Sequence, residues 1–435
     1  MFVRLPYGED QVTAELPSDI EVTYLAPRVI DVSGDPRQLA EYALDTPIGL
    51  RGGLLDDFTL DDSVAIIVSD SFRKTGADEF LPSLLDRVTS VGIRDENILF
   101  CFATGVHRAP TTEEQRQILG TEVYERFQAR LVVHDAFDDS ALVKLGTTSR
   151  GTPVEINRHV LACNRIIATG TVVLHYFAGF GGGRKAIVPG LASARTIAHN
   201  HAMNLHPSED RLDPSVRIAA LEGNPVAEDL LEAVRMVPVD FILNTILTPA
   251  GKIATMVAGD LIAAHETACM LAYNFYAFPF EKSADLVIAA SPDTRNFVQT
   301  HKALYNAHLA VRPGGRVILA APCREGLGGE GFVKWLRLGS VEAVYAGLRK
   351  QSEINGQTAL STLGKSPTTS FVTELSESDV QLLRGHKALS LQAAVDAALE
   401  AIGNAKTCAL IPDAAYTVPV AAGATVSSHW FRMRV

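Results

Sequence analysis

The order of apolar and polar positions along the chain predicts short buried strands that alternate with amphipathic helices. Continuous apolar runs occur at 64–69 (VAIIVS) and in NILFCFATG, as is typical of strands buried on both faces of a sheet. Each run precedes a polar loop and then a stretch with helical spacing, such as ADEFLPSLLDRVTSVG. Thr111 and Thr112 are candidate N-caps for a helix through Gln117. This repetition of strand, loop and helix predicts a doubly wound α/β fold.

The alternation continues along the chain, pauses near Phe278–Pro279–Phe280, and then restarts. Before the pause, strand-like runs are RLVVHDA, RIIATG and VDFILNTIL, and helical stretches are EDLLEAVRMV and DLIAAHETACMLAYNF. After it come the strand DLVIAAS, a helix that we expect to end at Pro313–Gly314–Gly315, and the strands RVILAAP and KTCALIP. We therefore predict two α/β domains, 1–275 and a smaller one over 276–435, each with a mainly parallel sheet flanked by helices.

Composition and charge exclude several classes of function. Hydrophobic residues make up 47% and charged residues 20% of the 435 positions, which excludes a disordered chain. The formal net charge is -11, from 50 acidic and 39 basic residues. This balance provides no large basic face for nucleic acid, and an acidic surface repels an anionic membrane. An anionic substrate must therefore be held by a local cluster of cations.

The cysteines and the N-terminal residues indicate the cellular compartment. The five cysteines are odd in number and show no C-x-x-C spacing, so neither a disulfide framework nor a cysteine zinc site is expected. The first residues carry Asp and Glu where a signal peptide needs an apolar core, and no run of about 18 apolar residues could span a membrane. We expect a cytoplasmic chain whose partners include neither membrane nor nucleic acid.

Two polar loops follow the first two predicted strands, at the strand ends where open α/β sheets bind ligands. Asp70 and Arg73 can together hold hydroxyls and a carboxylate or phosphate. His107, in Gly105-Val106-His107-Arg108, is a candidate general base because the pKa of imidazole lies near neutral pH. Each loop, considered alone, is also compatible with an ordinary solvated surface.

The segment richest in reactive groups follows RIIATG and extends through His175 to Lys185. Its consecutive glycines, Gly181–Gly183, let backbone N–H groups approach an anion, and Arg184 and Lys185 supply positive charge. The segment is not a Walker A loop, since alanine rather than Ser or Thr follows the lysine. So many functional groups in a few residues disfavour a merely flexible turn.

Two predicted helices carry the remaining candidates. Ser193 is an expected N-cap, and the helix after it places His199 and His201 two residues apart, so that they face different directions. Gln299 and Lys302 are three apart and share one face near a helix N-terminus, where a carboxylate is favoured. An ordinary amphipathic helix explains the second spacing at least as well.

The ordered set of motifs resembles the lactate racemase family, the nickel-pincer-nucleotide enzymes. The segment from His175 to Lys185, followed by Pro-Gly and by Asn200-His201, is similar to that family's H-x-x-x-G-F-x-G-G-x-K segment. The family's Asp-x-x-Arg, Gly-x-His-Arg and Gln-x-x-Lys motifs match, in this order, Asp70 to Arg73, Gly105 to Arg108 and Gln299 to Lys302. Each motif is weak alone, but their order with the glycine segment is specific.

The resemblance implies a two-domain α/β enzyme with its active site in the interdomain cleft and a cofactor bound by the N-terminal domain. The implied cofactor is a nickel-pincer nucleotide of the pyridinium-3,5-bisthiocarboxylic acid mononucleotide type. Its nickel would be bound by His201, and Lys185 corresponds to a lysine that can form a thioamide with it. Asp70 would bind the ribose. The residues close to the nucleotide would be Gly181, Gly182 and Gly183.

The implied activity is that of an isomerase, a racemase or epimerase of a 2-hydroxy acid such as lactate or a larger acid. The reaction would be a reversible proton-coupled hydride transfer through a 2-oxo acid, which can receive hydride on either face. His107 and His175 would be the acid/base pair, one for each enantiomer. Arg73, Gln299 and Lys302 would bind the substrate carboxylate or nearby oxygens. Proteins that synthesise the cofactor are implied partners.

The chain departs from the family pattern after Arg73, where Lys74 stands in place of the proline that we expect there. The substrate pocket should therefore differ from that of the lactate enzyme. His301, beside the residues expected to bind substrate, is a second candidate for setting specificity.

Two other functions are compatible with the residues. A metal-dependent hydrolase would need several ligands around zinc, and the candidates match no known zinc spacing: His175, His199, His201 and His206. A non-catalytic protein that binds a nucleotide or phosphate would need the glycine segment but no acid/base histidines.

Overall fold

The computed structural model describes residues 1–26, 34–209, 211–281, 283–421 and 426. The chain forms two compact units. We call residues 34–207 and 212–274 the central unit, and the other described residues up to 421 the terminal unit.

The strands lie at the following positions in chain order: β1 Phe2–Tyr7, β2 Asp10–Glu15, β3 Glu21–Tyr24, β4 Val64–Ser69, β5 Ile98–Ala103, β6 Leu131–Val133, β7 Leu142–Thr147, β8 Pro153–Asn157, β9 Arg165–Thr171, β10 Leu174–His175, β11 Gly179–Phe180, β12 Phe241–Leu247, β13 Ile253–Gly259, β14 Ala277–Phe280, β15 Ala284–Ala290, β16 Val311–Ala320, β17 Thr369–Val372, β18 His386–Ala388, β19 Thr407–Ile411 and β20 Val418–Ala421.

The α-helices lie at the following positions: α1 Pro36–Asp45, α2 Ala77–Ser90, α3 Thr112–Leu119, α4 Thr121–Phe127, α5 Arg158–Leu161, α6 Ala194–Ala202, α7 Pro225–Val234, α8 Ala263–Tyr276, α9 Phe297–Ala310, α10 Glu330–Leu336, α11 Val341–Lys350, α12 Ile354–Lys365, α13 Glu377–Leu382 and α14 Leu391–Ile402. Short 3₁₀ turns lie at Asp95–Asn97, Gln128–Arg130, Asp139–Ala141, Gly183–Ala186 and Ser366–Thr368.

The central unit is built on a six-stranded sheet in the order β13-β12-β9-β4-β5-β6. Its strands pair in parallel except for β13, which is antiparallel to β12. The predicted apolar runs become β4 and β5 because parallel strands covered on both faces need apolar side chains throughout. Phe80, Phe100 and Phe127 are fully buried in the core between this sheet and α1, α2, α3 and α4. The sheet therefore holds the loops at its carboxyl edge on a rigid base.

The terminal unit contains a second six-stranded sheet, in the order β18-β17-β16-β15-β19-β3, with every neighbouring pair parallel. The fold prediction of α/β units with mainly parallel sheets is confirmed. The predicted N-terminal domain over 1–275 differs from the observed units, because β3 pairs with β19. Val3 and Leu5 of β1 also enter the core formed by β15, β16 and α14.

Local signals set the helix boundaries. Thr111 caps α3, and Glu114 completes a capping box with it. The end of α9 differs from the prediction, because the helix ends at Ala310 and β16 begins at once, through Pro313 and the two glycines after it. A Cβ on Gly315 would lie 2.6 Å from the backbone oxygen of Asp285, so glycine permits this close approach to β15. Within the described ranges, no helix is long and apolar enough to cross a membrane.

Candidate active site

Three neighbouring strands of the central sheet place site residues beyond their carboxyl ends. Asp70 follows β4, His107 lies in the loop after β5, and His175 lies shortly after β9. These strands are adjacent and parallel, so their carboxyl ends meet at one edge of the sheet. The loops predicted to carry chemistry therefore share one edge within the central unit.

His107 is oriented by a buried carboxylate. Its Nδ1 lies 2.6 Å from Oδ2 of Asp70, and Oδ1 of Asp70 accepts the backbone N–H of Phe72 at 3.0 Å. The Asp70 side chain is 2% exposed, whereas that of His107 is 33% exposed. A carboxylate bound to Nδ1 fixes the ring proton there and leaves the lone pair on Nε2. The arrangement suits a general base that reaches a ligand from a fixed position.

The two arginines of these loops differ in their contacts. Arg108 donates to both carboxylate oxygens of Glu114, and this contact lowers the pKa of Glu114 to about 2. Arg73 is exposed and donates to the backbone oxygen of Phe72 at 3.0 Å. In the parts of the chain that the structure describes, no carboxylate pairs with Arg73. Its guanidinium is therefore the better placed of the two to bind an added carboxylate.

His175 faces backbone donors on one side and Lys185 on the other. Its Nδ1 accepts the backbone N–H groups of Phe177 at 3.1 Å and Ala178 at 3.3 Å. Its Nε2 lies 3.0 Å from Nζ of Lys185. Since the backbone donors place the neutral ring's proton on Nε2, that N–H donates to Lys185 only when the amine is unprotonated. An unprotonated amine is also the nucleophilic form of a lysine.

His201 is a buried, neutral imidazole on α6. Ser193 begins this helix by accepting the backbone N–H of Thr196. The Nδ1–H of His201 donates to the backbone oxygen of Ile197 at 2.9 Å, which makes Nε2 the nitrogen with the lone pair. Burial, and then the charge of Lys185, lower the pKa of His201 to about 4. His201 therefore stays in the form that binds a metal ion.

His199 points elsewhere, as its spacing from His201 predicts. Its ring is exposed, and its Nδ1 lies 2.9 Å from Oγ1 of Thr152. Across the described ranges, no three His, Cys, Asp or Glu side chains are grouped as a metal site. The histidine cluster that a zinc hydrolase would need is therefore not formed by those residues.

The glycine segment is fitted closely against its neighbours. Gly182 and Gly183 have φ angles of +68° and +47°, in the region that favours glycine. A Cβ on Gly183 would lie 2.4 Å from Cδ2 of His265, and one on Gly182 would lie 2.5 Å from Cγ2 of Val172. Glycine is therefore required at both positions for the backbone to take this course.

Two residues that the sequence analysis missed hold this loop. Asn244 of β12 accepts the backbone N–H of Gly183 at 2.6 Å, and His265 of α8 donates from Nε2 to the backbone oxygen of Gly181 at 2.9 Å. Burial, and then the charge of Arg184, lower the pKa of His265 to about 3. In the sequence, each of them is only one of the polar residues within a strand or helix of mainly apolar residues.

Asn244 also carries a donor that none of the described residues uses. Its side chain is fully buried, and among the described residues its Nδ2 has no hydrogen-bond partner. A buried amide without a partner is costly, so this donor beside the glycine loop fits an added acceptor group. Arg184, expected to supply charge here, is instead buried and donates to the backbone oxygen of Ala227.

The residues expected to bind substrate from the C-terminal part of the chain lie in the terminal unit. Gln299 and Lys302 are exposed on α9, whose N-cap Asn296 accepts the backbone N–H of Gln299. His301, which lies between these two residues in the sequence, has a side chain that is buried in this unit. The structure thus brings the histidines, Asp70 and the glycine loop into one unit, and Gln299 and Lys302 onto one helix of the other.

Comparison with known proteins identifies the family. Residues 7–212 match the lactate racemase N-terminal domain, and residues 281–418 match the lactate racemase C-terminal domain. The chain belongs to the lactate racemase family. The family and the isomerase class predicted from the sequence are therefore confirmed, and this family member is a cofactor-dependent racemase.

Two relatives align with most of the length of this chain. The lactate racemase of Thermoanaerobacterium thermosaccharolyticum is 32% identical over 340 residues, which are 77% of this chain and 78% of that protein. The lactate racemase of Lactiplantibacillus plantarum is 31% identical over 336 residues, or 76% of this chain and 77% of that protein.

Solved structures show the same fold. The structure of the lactate racemase apoprotein from T. thermosaccharolyticum matches with a TM-score of 0.86 at 27% identity, over 97% of this chain and all of that one. A Thermotoga maritima protein matches with a TM-score of 0.65 at 18% identity, over 89% of this chain and 99% of that one, and shares the fold.

Proposed function

We propose that this lactate racemase family member interconverts the stereoisomers of a 2-hydroxy acid by reversible proton-coupled hydride transfer through a 2-oxo acid. The observation that carries the proposal is the contact between His107 and Asp70. It provides an oriented base with an open Nε2, at the same sheet edge as His175 and the glycine loop. Two relatives are named lactate racemase, so lactate is the first substrate to test.

His107 would remove the proton of the substrate hydroxyl. Loss of the Cα hydrogen as hydride is easier when a base takes the hydroxyl proton in the same step, because a neutral carbonyl then forms. The resulting 2-oxo acid is planar at the reacting carbon, so hydride can return to either face. His175 would then serve the other stereoisomer, with the hydroxyl proton exchanged at Nε2, because Nδ1 already accepts two backbone N–H groups.

The cofactor would be a nickel-pincer nucleotide bound in the central unit, where it supplies the hydride acceptor. The residues present fit such a group. His201 offers a neutral Nε2 for nickel, Lys185 offers an amine, and the glycine loop with Nδ2 of Asn244 offers donors for a phosphate. Asp70, which also contacts His107, remains a predicted ribose ligand.

The substrate carboxylate would be held by cations, as the acidic composition of the chain requires. Arg73 is exposed without a carboxylate partner in the described residues, and Gln299 and Lys302 are exposed on one helix. We propose these three residues as the substrate ligands. Fixing the carboxylate holds the reacting carbon in position, which is a large part of the rate enhancement in such sites.

We propose that the enzyme acts in the cytoplasm, together with the proteins that synthesise its cofactor. The five cysteines lie within the described residues and all are free thiols, which fits a reducing compartment.

The test is to co-express the chain with cofactor-synthesis proteins and to measure nickel, visible absorbance and intact mass, followed by racemisation of a panel of chiral 2-hydroxy acids. We expect about one nickel per chain, because His201 is the single proposed protein ligand. We also expect loss of stereochemical purity for at least one acid. A mass increase that disappears in Lys185→Ala would establish a covalent link.

Replacing His107 or His175 by Asn should abolish racemisation while nickel stays bound. Nickel-loaded protein that scrambles no acid in the panel would contradict the proposal. A protein that binds nucleotide and keeps its biological effect without either histidine would be the non-catalytic binder instead.

A further inference from the structure

The terminal unit contains a lysine whose charge the described protein does not balance. Lys365 ends α12, and its side chain is only partly exposed. Its Nζ donates to Oγ of Ser361 at 3.2 Å and lies 4.8 Å from the centre of the Tyr305 ring. Within the described ranges, no carboxylate forms an ion pair with it. Burial lowers the pKa of Lys365 to about 8, so the amine is still mainly protonated at neutral pH.

Among the described residues, the two side chains that contact Nζ of Lys365, those of Ser361 and Tyr305, are neutral. His301, Tyr305 and His308 lie along one face of α9 at intervals of four and three residues. His308 contacts Oγ1 of Thr369 at 2.9 Å through Nε2. Burial, followed by the charge of Lys365, lowers the pKa of both histidines to about 3. Neither histidine can therefore offset the lysine, and a protonated form would only add charge of the same sign.

An unbalanced and partly buried ammonium is rare in proteins because the loss of hydration is not repaid. The aromatic ring of Tyr305 and the hydroxyl of Ser361 repay a part of it. A protonated lysine beside a hydroxyl and an aromatic ring is the arrangement expected of an anion-binding site that has no anion bound. Ser361 and Lys365 are one helical turn apart on α12, so a hydroxyl and an ammonium face the same space.

We propose that Lys365, with Ser361, binds a second anionic group of the substrate, so that the preferred substrate is a 2-hydroxydicarboxylic acid. This inference rests on the proposed function, in which Gln299 and Lys302 of α9 hold the first carboxylate. Tyr305, which contacts Lys365, lies three residues after Lys302 on the same helix, so these two residues share one face of α9. Three residues of helix advance about 4.5 Å, a length that a four- or five-carbon diacid can bridge.

The test compares two acids of equal length on the nickel-loaded enzyme, 2-hydroxybutanedioate and 2-hydroxybutanoate. We expect the wild-type protein to prefer the diacid. Lys365→Met should lower the diacid-to-monoacid ratio of kcat/KM by about 10- to 100-fold, the loss of one charge-assisted hydrogen bond. Turnover of the monoacid should be unchanged, and Lys365→Arg should recover part of the preference because it keeps the charge.

Lys350→Met is the matched control, since Lys350 is an exposed lysine at the end of α11 in the same unit. It should leave the ratio unchanged. Calorimetric titration of the same proteins with butanedioate and butanoate, which lack the reacting hydroxyl, measures the site without turnover. Melting temperatures identify any variant that does not fold, and Lys365→Gln, which also removes the charge, then replaces the Met variant in the comparison.

The outcomes separate the two proposals. If both acids are racemised and Lys365→Met changes neither the ratio nor butanedioate binding, the second anion site is refuted and the racemase proposal stands. If wild-type protein racemises no acid but binds butanedioate in a Lys365-dependent manner, the racemase proposal fails and the anion site is supported.

Discussion

The carboxylate of Asp70 and the imidazole of His107 belong to consecutive loops 37 residues apart in the chain, yet their Oδ2 and Nδ1 atoms lie 2.6 Å apart. The parallel pairing of β4 with β5 produces this contact, because it brings the two strand ends side by side. A residue buried at one strand end thus determines which nitrogen of the other residue faces a ligand.

Asp70→Asn should lower kcat/KM by about 10²- to 10⁴-fold from both stereoisomers, because His107 is the base in one direction and the acid in the other. An amide in place of the carboxylate no longer fixes the proton on Nδ1. The measurement is the initial rate of racemisation from each stereoisomer separately, with nickel content determined in parallel. Asp61→Asn, at an exposed aspartate, should match wild type. Rates in Asp70→Asn that equal those of the wild-type protein would show that the carboxylate does not orient the base.

Gly183→Ala should reduce binding of the nucleotide cofactor, because the new methyl group would overlap with the ring of His265. The matched control is Gly223→Ala in the same unit. Gly223 also has a positive φ, of +73°, but no atom lies within 4 Å of a Cβ there. Both variants should lose about 1–2 kcal/mol of stability from backbone strain. Cofactor content after purification should fall in Gly183→Ala alone. A similar loss in both would mean that strain, not fit, sets the effect.

Asn244→Asp should weaken cofactor binding while the loop keeps its shape. The carboxylate can still accept the backbone N–H of Gly183, but it lacks the Nδ2 donor and places negative charge beside an anionic ligand. Nucleotide and nickel content of the purified protein measure the effect. Asn404→Asp, at an exposed position of the terminal unit, should change neither. Unaltered content in Asn244→Asp would refute the assignment of Nδ2 to the phosphate.

Stability should fall as the pH is lowered below about 6.5, the ordinary pKa of histidine. The pKa values of His265, His301 and His308 are each lowered to about 3, so these rings stay neutral in the folded chain while the unfolded chain takes up protons. For each of these histidines, the free energy of unfolding should therefore fall by about 1.4 kcal/mol for every unit by which the pH is lowered between 6 and 4.

Melting temperatures of the cofactor-free protein at several pH values between 4.5 and 7.5 provide the measurement. His308→Gln should flatten the dependence, and His386→Gln, at an exposed histidine, should not. Parallel curves for wild type and His308→Gln would argue against a buried neutral ring at that position.

The sequence predicted those parts of the molecule that depend on local pattern. The runs that become β4 and β5 are apolar throughout because both faces of the strands are covered, and Thr111 and Ser193 cap their helices through side chains that lie nearby in the chain. The motifs at Asp70, His107 and His175 were found for the same reason, since each one follows a recognisable strand.

Long-range partners were beyond such patterns. Nothing near Asn244 or His265 indicates that β12 and α8 carry them to the glycine loop. Lys365 is an ordinary helix-terminal lysine in the sequence, and its lack of a carboxylate partner is apparent only from the described packing around it. The contact between Asp70 and His107 also needed the sheet order, although both residues were identified separately.

The pairing of β3 with β19 has a consequence for how the chain folds during synthesis. The terminal unit needs residues from the first strands and from Thr407–Ile411, so its sheet cannot be completed until almost the whole chain has left the ribosome. The strands of the central sheet are all made much earlier, because the last of them in the chain, β13, ends at Gly259. The sheet that positions Asp70 and His107 can therefore form while Gln299 and Lys302 are still to be made. A fragment starting at residue 276 would lack an edge strand of its own sheet.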